Sequence, residues 1–442
     1  MSTERRAAVL SVGDELILGQ IADTNARWIL GALAEVGFLG IEHRTLPDDR
    51  AAIATAILEF ARRVDAIVVT GGLGPTADDL TREALGDAAA PQAALELDPV
   101  AIDHLESFFT RRGRTMSPSN RKQALRPPGT AMLPNPNGTA MGIAARIGAC
   151  AIFCLPGPPR EMQPMFRASV VPALPTGAGA IATAAVHQLG LGESVAAERL
   201  GAMMDRDRSP TVGTTASGGV VTARIRAEGD RASASALVEE TARQVERAWH
   251  PYAYGRDERT LVGAVASLLV ESQRTLAVAE SCTGGMLGST IVDFPGASDF
   301  FVGGWIVYSN ALKERLLGVP TAMLEAHGAV SEPVARALAQ GAVERSGSDY
   351  GLAITGIAGP GGGSEGKPVG TVYVGLAQRD GGKSAARRFV ITGDRHDVRE
   401  RSARLALQML RLELLGMAEV PLLWEAPPAG EKASTPATGR RA

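Results

Sequence analysis

Residues 275–285 read TLAVAESCTGG, an apolar run that is followed by four residues, ESCT, and then by two glycines. The run has the composition of a buried strand, and glycine allows the tight turn from which a helix can start. A strand that passes straight into a helix is the repeating unit of parallel α/β sheets. The stretch therefore predicts an α/β domain in which Ser281 and Cys282 lie where the strand ends.

The same alternation of strand and helix extends to both sides of this stretch. A helical segment at 260–272 precedes it, and another starts at Gly284. Further apolar runs predict strands at 301–310, 350–356, 370–378 and 386–393, and periodicity predicts a last helix at 397–415. We therefore expect one complete α/β domain over residues 257–423.

A second region with this alternation begins at Arg6. Apolar runs and helical segments alternate over 7–13, 24–37, 38–46, 50–64, 65–72, 149–157 and 158–171. Helices of this length between strands imply right-handed crossovers and a parallel sheet, with Asp23 or Thr24 as the N-cap of the first helix. We expect this α/β domain to span residues 1–170.

The chain between these two domains has a different pattern. Residues 171–256 contain strand-like runs and two helices, and Gly218 and Gly219 lie between β-branched runs as in a tight hairpin turn. This segment predicts a small α+β domain, which we interpret as a spacer or dimerisation element. Residues 424–442 lack periodicity and are rich in Pro, Ala, Gly and charge, so we expect a disordered tail.

The composition of the 442 residues is that of a globular protein, with 45% hydrophobic and 21% charged residues. The net charge of −3 offers no basic surface for sequence-independent binding of nucleic acid. No run approaches the roughly 18 apolar residues of a membrane span. The three cysteines form neither a disulfide framework nor a zinc pattern, which fits a reducing cytoplasm.

Ser281 is a candidate nucleophile because the helix start beside it can offer backbone amides to an oxyanion. The alternative is that Ser281 or Thr283 only caps the helix. A serine also needs a base, and Lys313 follows a second strand end, where the alternative is a solvated surface lysine beside Glu314. Lysine, which unlike arginine can lose its proton, is scarce here. The lysines are Lys122, Lys313, Lys367, Lys383 and Lys432.

Residues 355–363, TGIAGPGGG, follow a third strand end, and the three ends can converge where open α/β sheets bind ligands. The adjoining GGGSEGK partly imitates a nucleotide-binding P-loop, but Pro368 and a strand follow it where that motif requires a helix. We therefore reject an ATPase function. The backbone amides of this loop stay candidates for binding a single phosphate group. Arg395 and Arg399, near the start of the last helix, are either contacts for that phosphate or ordinary surface arginines.

In the N-terminal domain, residues 71–81 read GGLGPTADDLT and follow the strand residues DAIVVT at 65–70. The glycines allow the backbone to approach a ligand, and Thr81 or Asp79 could cap the next helix. Asp78 and Asp79 are candidate ligands of a hard divalent cation, the alternative being two solvated carboxylates on a capped loop.

The stretches AESCTGG, GGWIVYSNALK, HGAVSEPVA, TGIAGPGGG and KPVGTVYVGLA occur in this order over residues 279–377. Together they resemble the C-terminal domain of the CinA family of competence/damage-inducible proteins. The resemblance implies a metal-independent amidase that converts nicotinamide mononucleotide to nicotinate mononucleotide and ammonia. It implies Ser281 as the nucleophile, Lys313 as its base and Tyr308 as an assisting residue, with no role for Cys282 as a thiolate. The further residues expected to bind substrate are Thr283, Gly284, Gly285, Thr355, Gly356 and Gly359, with Arg395 and Arg399 as above.

The stretches SVGDELILG, DTN, GGLGPTADDLT and NPNGTAMG resemble the molybdopterin-binding-like domain shared by CinA and molybdenum-cofactor biosynthesis proteins. In CinA relatives that domain is associated with a metal-dependent ADP-ribose pyrophosphatase activity, which implies magnesium, manganese or cobalt as the cofactor. The middle segment resembles the KH-like domain of the family, but it has no basic Gly-x-x-Gly loop of the type that clamps RNA. The residues expected at the N-terminal site are Asp14, Glu15, Asn25, Gly71, Gly72, Gly74, Thr76, Asp78 and Asp79, the last two as metal ligands.

The sequence therefore predicts a cytoplasmic three-domain α/β protein of pyridine-nucleotide salvage. We expect nicotinamide mononucleotide and ADP-ribose as small-molecule partners, no direct contact with nucleic acid or membranes, and a homodimer. Two other functions stay open. One is a pterin-cofactor binding protein, which rests on the first domain alone, and the other is a noncatalytic partner in competence or DNA repair.

Overall fold

The computed structural model describes residues 5–174, 180–379 and 384–426. Its internal contacts group the chain into two compact units, one of Met1–Thr183 with Arg226–Val238 and one of Ala184–Ile225 with Glu239–Ala442. The sheets and helices give the mixed α/β fold that the sequence predicts. Among the described residues, no helix has both the length and the apolar character that crossing a membrane requires.

The N-terminal region contains eight strands and seven α-helices in its described residues, besides a 3-10 helix at Pro118–Ala124 and a π-helix at Phe166–Val170. The strands are β1 Arg5–Val12, β2 Phe38–Leu46, β3 Ala66–Thr70, β4 Glu96–Leu97, β5 Leu125–Arg126, β6 Ala131–Leu133, β7 Gly142–Ile147 and β8 Cys150–Leu155. The helices are α1 Asp14–Ile17, α2 Thr24–Glu35, α3 Arg50–Ala61, α4 Thr81–Ala89, α5 Pro99–Thr110, α6 Pro159–Met165 and α7 Val171–Ala173.

The six-stranded sheet of this region has the order β2-β1-β3-β8-β7-β6. β1 pairs in parallel with β2 and β3, and β3 pairs in parallel with β8, as predicted. β6 and β7 are strands that the sequence pattern did not predict, and they make the sheet mixed because β7 pairs antiparallel with both β6 and β8. Only residues 148–149 connect β7 to β8, and so short a connection permits an antiparallel pair but no parallel crossover.

Helices cover both faces of this sheet. On one face Leu10 belongs to the same core as Ile53 of α3, and on the other Val9 belongs to the same core as Leu33 of α2. Because both faces are buried, the parallel strands read as continuous apolar runs rather than as alternating ones. Asp23 caps α2, as predicted, since its carboxylate accepts a backbone N–H of the first turn at 2.9 Å.

The middle region forms a small four-stranded sheet with two helices in its described residues. Its elements are β9 Ala180–Leu189, α8 Glu193–Leu200, β10 Thr211–Ser217, β11 Val220–Gly229, α9 Arg231–Trp249 and β12 Ala253–Arg256. The strand order is β10-β11-β9-β12. Gly218 and Gly219 connect β10 to β11 with φ angles of 56° and 86°, so this two-residue hairpin turn favours glycine at both positions, as predicted.

The C-terminal region contains a five-stranded sheet of order β14-β13-β15-β16-β17. The strands are β13 Leu276–Glu280, β14 Phe301–Ile306, β15 Tyr350–Gly356, β16 Thr371–Gln378 and β17 Ser384–Val390. The helices are α10 Leu261–Glu271, α11 Met286–Val292, α12 Asn310–Leu317, α13 Thr321–His327, α14 Glu332–Ser346 and α15 Arg395–Leu414. β13 is parallel to β14 and β15, whereas β16 and β17 are antiparallel to their neighbours. The segment after GGGSEGK is thus strand β16, which agrees with the rejection of a P-loop.

The predicted disordered tail starts at residue 424, and its first residues are described. Glu425 forms a β-bridge with Phe389 of β17 and an ion pair with Arg387. The guanidinium of Arg401 lies over the ring of Trp424. Residues 424–426 therefore pack on the C-terminal domain, and residues 427–442 lie outside the described residues.

Candidate active site

The carboxyl ends of β13, β14 and β15 meet at one edge of the C-terminal sheet. The backbone N–H of Ser281 donates to the carbonyl of Ile354 at 2.9 Å, and the N–H of Val307 donates to that of Glu280 at 2.8 Å. These bonds continue the strand pairing just beyond β13 and β14. Three segments far apart in the sequence are thereby brought together at the edge where open α/β sheets bind ligands.

Lys313 lies in the first half of α12 and faces the interior, with only 1% of the residue exposed. Ser309 caps this helix, since its hydroxyl accepts the N–H of Leu312 at 3.3 Å. The Nζ of Lys313 lies 3.2 Å from the Oγ of Ser281, which is itself 8% exposed. The structure brings the serine and the lysine together and excludes a solvated surface position for Lys313.

The amine of Lys313 is surrounded by neutral acceptors. Its Nζ lies 2.9 Å from the carbonyl oxygen of Val307 and 3.0 Å from that of Tyr308. Among the described residues, no carboxylate forms an ion pair with this lysine. Burial lowers the pKa of the Lys313 ammonium below its ordinary value of 10.5 because the charged form loses its hydration. The environment therefore favours release of the proton.

The buried carboxylate of Glu280 accepts hydrogen bonds from the backbone amides at the start of α11. It accepts the N–H of Gly285 at 2.9 Å, of Leu287 at 3.1 Å and of Gly288 at 2.8 Å. The expectation that the helix start offers its own amides to an anion is therefore wrong, because a side chain of the protein already occupies them. The alternative in which Ser281 caps the helix is also wrong, since the N-cap position is Gly285 and no side chain there forms the cap.

Two other backbone amides of the turn remain available. Within the described part of the chain, no other residue accepts a hydrogen bond from the N–H of Cys282 or Thr283. The hydroxyl of Thr283 is buried and has no partner. These donors lie in the two residues directly after Ser281, which is the position from which an oxyanion hole commonly acts.

Cys282 is a poor candidate for the nucleophile. It is 6% exposed, and burial raises the pKa of its thiol to about 12. A thiolate is therefore rare at neutral pH, in agreement with the expectation that this cysteine plays no nucleophilic part.

Arg395 and Arg399 extend from the first turns of α15 toward the glycine-rich loops. Arg395 donates to the carbonyl of Gly359 at 2.7 Å, and Arg399 donates through Nε and Nη2 to the carbonyl of Thr283 at 3.2 Å and 2.7 Å. Both line a cavity of about 530 Å³ together with Gly359 and His396. The two guanidinium groups converge on one opening, although each is already bonded to the backbone.

The other expected substrate contacts are less direct. The hydroxyl of Thr355 is buried and donates to the carbonyl of Ala329 at 2.8 Å. A Cβ on Gly356 would lie 2.7 Å from the side chain of Val372, so packing alone accounts for this glycine. Tyr308 is 62% exposed and reaches Lys313 through its backbone carbonyl rather than its phenol.

The N-terminal domain has a cavity of about 580 Å³ at the ends of β1 and β3. The expected residues that line it are Glu15, Asn25, Gly71, Gly72, Gly74, Thr76, Asp78 and Asp79. Asp14 lies beside the cavity, where its backbone N–H donates to the carboxylate of Asp48 at 3.0 Å. Asn25 donates to the hydroxyl of Thr70 at 3.0 Å and to the carbonyl of Gly157 at 2.6 Å. The structure thus gathers the predicted residues around one opening.

Asp79 organises its own loop. Its carboxylate accepts the N–H of Gly74 and the N–H of Thr76, each at 2.8 Å. The prediction that Asp79 or Thr81 caps the next helix is wrong, because α4 has no side-chain cap and the Thr81 hydroxyl donates to the carbonyl of Gly71 at 2.8 Å. The carboxylate of Asp79 binds the preceding loop because the N–H groups of Gly74 and Thr76 lie close to it.

The residues of this cavity do not by themselves form a metal centre. Within the described ranges, no group of three or more His, Cys, Asp or Glu side chains is placed to hold a metal ion. Of the two expected ligands, Asp79 is engaged by loop amides, and Asp78 is held at a low pKa chiefly by a hydrogen bond from Thr76. Burial, with the nearby charges of Asp14, Glu15 and Asp78, raises the pKa of Asp48.

Three residues of these sites were not assigned from the sequence. Glu280 is an isolated charge at the end of an apolar strand, and this pattern in the sequence could have marked it as a candidate. Lys122 is one of the scarce lysines, and its Nζ donates to the carbonyls of Thr76 and Asp79. Nothing in the sequence pattern marks Asp48, which only the fold brings to the cavity.

Three family models match the chain in succession: "Probable molybdopterin binding domain" over residues 8–176, "Damage-inducible protein CinA KH domain" over 184–255 and "CinA C-terminal domain" over 258–414. A CinA-like protein of Citrifermentans bemidjiense is 42% identical over 418 residues, which cover 94% of this chain and 99% of the relative. A CinA-like protein of Parasynechococcus marenigrum is 42% identical over 420 residues, which cover 94% of this chain and 100% of the relative. A solved CinA superfamily structure from Klebsiella pneumoniae is 33% identical and covers 35% of this chain and 96% of its own, with a TM-score of 0.34. The chain belongs to the CinA family of competence/damage-inducible proteins.

Proposed function

We propose that the C-terminal domain hydrolyses the carboxamide of nicotinamide mononucleotide, giving nicotinate mononucleotide and ammonia. The observation that carries this proposal is the buried pair in which the Nζ of Lys313 lies 3.2 Å from the Oγ of Ser281. Amide hydrolysis needs a nucleophile whose proton can be removed, and serine–lysine pairs perform that task when the amine is desolvated.

The hydrogen bonds of Lys313 support its role as the base. A neutral amine has two N–H donors and one lone pair, and the carbonyls of Val307 and Tyr308 accept the two donors. The lone pair then accepts the O–H of Ser281, whose oxygen becomes the nucleophile. The protonated amine that results keeps the same three neighbours, so the proton moves without rearrangement of the site.

In the proposed reaction, Ser281 Oγ forms a bond to the carboxamide carbon while its proton passes to Lys313. The N–H groups of Cys282 and Thr283 donate to the oxyanion that develops. The C–N bond then breaks, and the departing nitrogen takes the proton from Lys313 and leaves as ammonia. Water, deprotonated by Lys313, cleaves the acyl-serine, releases the carboxylate product and restores the serine.

Recognition of the substrate phosphate is assigned to the opening beside α15. Arg395 and Arg399 both line it, and arginine forms charge-assisted hydrogen bonds with phosphate oxygens. The preference for a nucleotide over free nicotinamide would arise here. A compound without phosphate should therefore be hydrolysed with a much higher KM.

The direct test is to incubate the full-length protein with nicotinamide mononucleotide and to follow ammonia release together with the nucleotide product. Ser281→Ala protein serves as the negative control because it retains the fold but has no nucleophile. Release of ammonia by the unaltered protein and not by this variant supports the proposal. Absence of turnover in both, with intact folding, would leave a pterin-binding protein or a noncatalytic competence partner as the better interpretation.

The N-terminal cavity supports a second proposed activity, the hydrolysis of ADP-ribose. Its volume of about 580 Å³ and its glycine loop suit a nucleotide with a diphosphate. Because the side chains do not assemble a metal centre alone, no step of this reaction is assigned to a metal ion. Assays of ADP-ribose cleavage with and without added magnesium, manganese or cobalt test both the activity and its cofactor.

A further inference from the structure

Glu280 is a buried charge that the proposed reaction does not use. It is the last residue of β13, directly before Ser281, and only 1% of it is exposed. Burial of a carboxylate is costly unless hydrogen bonds replace its hydration. Here the N–H groups of Gly285, Leu287 and Gly288 replace it, and the N-terminus of α11 adds a favourable dipole.

These bonds close the turn that carries the nucleophile. Gly284 and Gly285 have φ angles of 58° and 95°, a backbone conformation that glycine adopts freely and keeps only when neighbours hold it. The carboxylate of Glu280 lies before Ser281 in the sequence, and the amides that it binds lie after it. The segment between them, residues 281–284, is thus tied at both ends to one side chain.

A second charge holds the same turn through a different backbone group. Arg399 donates through both Nε and Nη2 to the carbonyl of Thr283, at 3.2 Å and 2.7 Å. The carboxylate thus binds the amides that follow the nucleophile, whereas the guanidinium binds a carbonyl within the turn. Both contacts are charge-assisted and therefore stronger than ordinary backbone hydrogen bonds.

We propose that Glu280 is a positioning residue that, together with Arg399, holds the turn of Ser281 so that its Oγ stays within reach of Lys313. This inference rests on the proposed amidase function and adds to it the residue that orients the nucleophile. Glu280 acts through the backbone and touches neither substrate nor the reacting atoms. The cost of losing it is a misplaced serine, and a displacement of about 1 Å in a catalytic group can lower the rate about 100-fold.

The test compares Glu280→Gln with the unaltered protein. Glutamine has the same length, but its –NH2 group would face an amide N–H, so at least one of the three bonds is lost. We expect kcat to fall by roughly 10- to 100-fold while KM changes little, because Glu280 itself does not line the opening assigned to the phosphate. Glu344→Gln, at an exposed position of α14, is the matched control and should leave both constants unchanged.

A second readout is the rate at which phenylmethylsulfonyl fluoride modifies Ser281, followed by mass spectrometry. This reagent has no phosphate or ribose, so it reports the reactivity of the serine and not substrate binding. We expect slower modification in Glu280→Gln at an unchanged melting temperature. Wild-type rates of turnover and modification in the folded variant would overturn the inference.

Arg399→Lys keeps the proposal testable if Glu280→Gln does not fold. Lysine preserves the charge of this partly exposed position but cannot donate two bonds to the carbonyl of Thr283. Slower modification of Ser281 supports the proposal, and modification at the wild-type rate contradicts it. Failure of the proposed function is distinguishable: the unaltered protein would then release no ammonia, while the effect of the variants on Ser281 modification could still be measured.

Discussion

The two domains with candidate sites each contain a glycine-bearing turn that follows a buried parallel strand, and in each a carboxylate binds amides of that turn. Glu280 does so in the C-terminal domain, where it is buried and precedes the turn. Asp79 does so in the N-terminal domain, where it follows the glycines and lies in an exposed loop. In both domains, therefore, the acid beside the glycine loop has a structural role, because it binds the amides of the turn. Its presence alone does not identify the chemistry of the site.

What distinguishes the two sites is the lysine. Lys122 donates to two loop carbonyls and lies 3.3 Å from the carboxylate of Glu83. Lys313 has carbonyl neighbours and a serine hydroxyl but no carboxylate among the described residues, and burial lowers its pKa. The first lysine is therefore the partner of a carboxylate, whereas the second suits the transfer of a proton.

The largest expected effect separates the two candidate nucleophiles of the C-terminal turn. Ser281→Ala should lower kcat for nicotinamide mononucleotide by several orders of magnitude, because no other group next to Lys313 can attack the carboxamide. Cys282→Ala should retain most of the activity, since the buried thiol stays protonated. Ammonia release by both folded variants provides the measurement. An inactive Cys282→Ala beside an active Ser281→Ala would reverse the assignment.

The next effect tests the difference between the two kinds of lysine. Lys313→Arg should be as damaging to turnover as Lys313→Ala, because a guanidinium keeps its proton at any working pH. Lys367→Arg is the matched control, since the Nζ of this partly buried lysine donates to the carbonyl of His327, outside the serine–lysine pair.

Arginine is also longer than lysine, so a steric loss must be separated from a chemical one. Substrate affinity of the Lys313→Arg protein, measured by calorimetry, serves this purpose. Near-normal binding without turnover agrees with a lost base. Appreciable turnover by the arginine variant would instead make Lys313 a binding residue.

A smaller set of changes tests the N-terminal loop. If that domain hydrolyses ADP-ribose, Asp79→Asn should remove the activity, because the neutral amide loses the charge-assisted bonds to Gly74 and Thr76 and the loop loosens. Asp78→Asn should weaken it as well, and Asp103→Asn on the exposed face of α5 is the control. The amidase should be spared in all three variants. Loss of both activities in a variant that melts normally would contradict the independence of the two sites.

The smallest expected effect is the pH dependence of the amidase. Lys313 must be neutral to act as a base, so kcat should rise by about tenfold per pH unit while the amine is mostly protonated. Because burial lowers the pKa of this amine, the rise should level off below pH 10.5. A pH–rate profile with saturating substrate checks this. A rate that continues to rise beyond pH 10.5 would show that the base is another group.

The sequence predicts most of the fold because its signals are local. The cap at Asp23 and the hairpin at Gly218 depend on a few neighbouring residues, and both are confirmed. The sequence did not predict β6 and β7, because these strands lack the long apolar run that marks β1, β3 and β8. The motifs at strand ends also point to Ser281 as a candidate nucleophile, and that role stays a prediction.

The remaining features of the site depend on tertiary contacts. Sequence spacing cannot show that α12 places the side chain of Lys313 in the interior. The alternative of a solvated surface lysine therefore stayed open. The carboxylate of Glu280 binds backbone amides that lie five to eight residues further along the chain. These amides come within hydrogen-bonding distance only when the intervening turn has formed. The same holds for Asp79, whose carboxylate binds its own loop instead of capping α4.

The order of the C-terminal strands has a consequence for the folding of the protein. Ser281 follows β13, Lys313 follows β14, and the carbonyl of Ile354 that fixes the serine backbone belongs to β15. Contacts between segments so distant in the chain require closure of long loops, which makes them slow to form. A refolding molecule can therefore form its helices before β13, β14 and β15 pair with one another, and until they pair it should be inactive. Recovery of ammonia release after dilution from denaturant should coincide with assembly of the three-stranded parallel core, which makes catalysis a kinetic probe of that step.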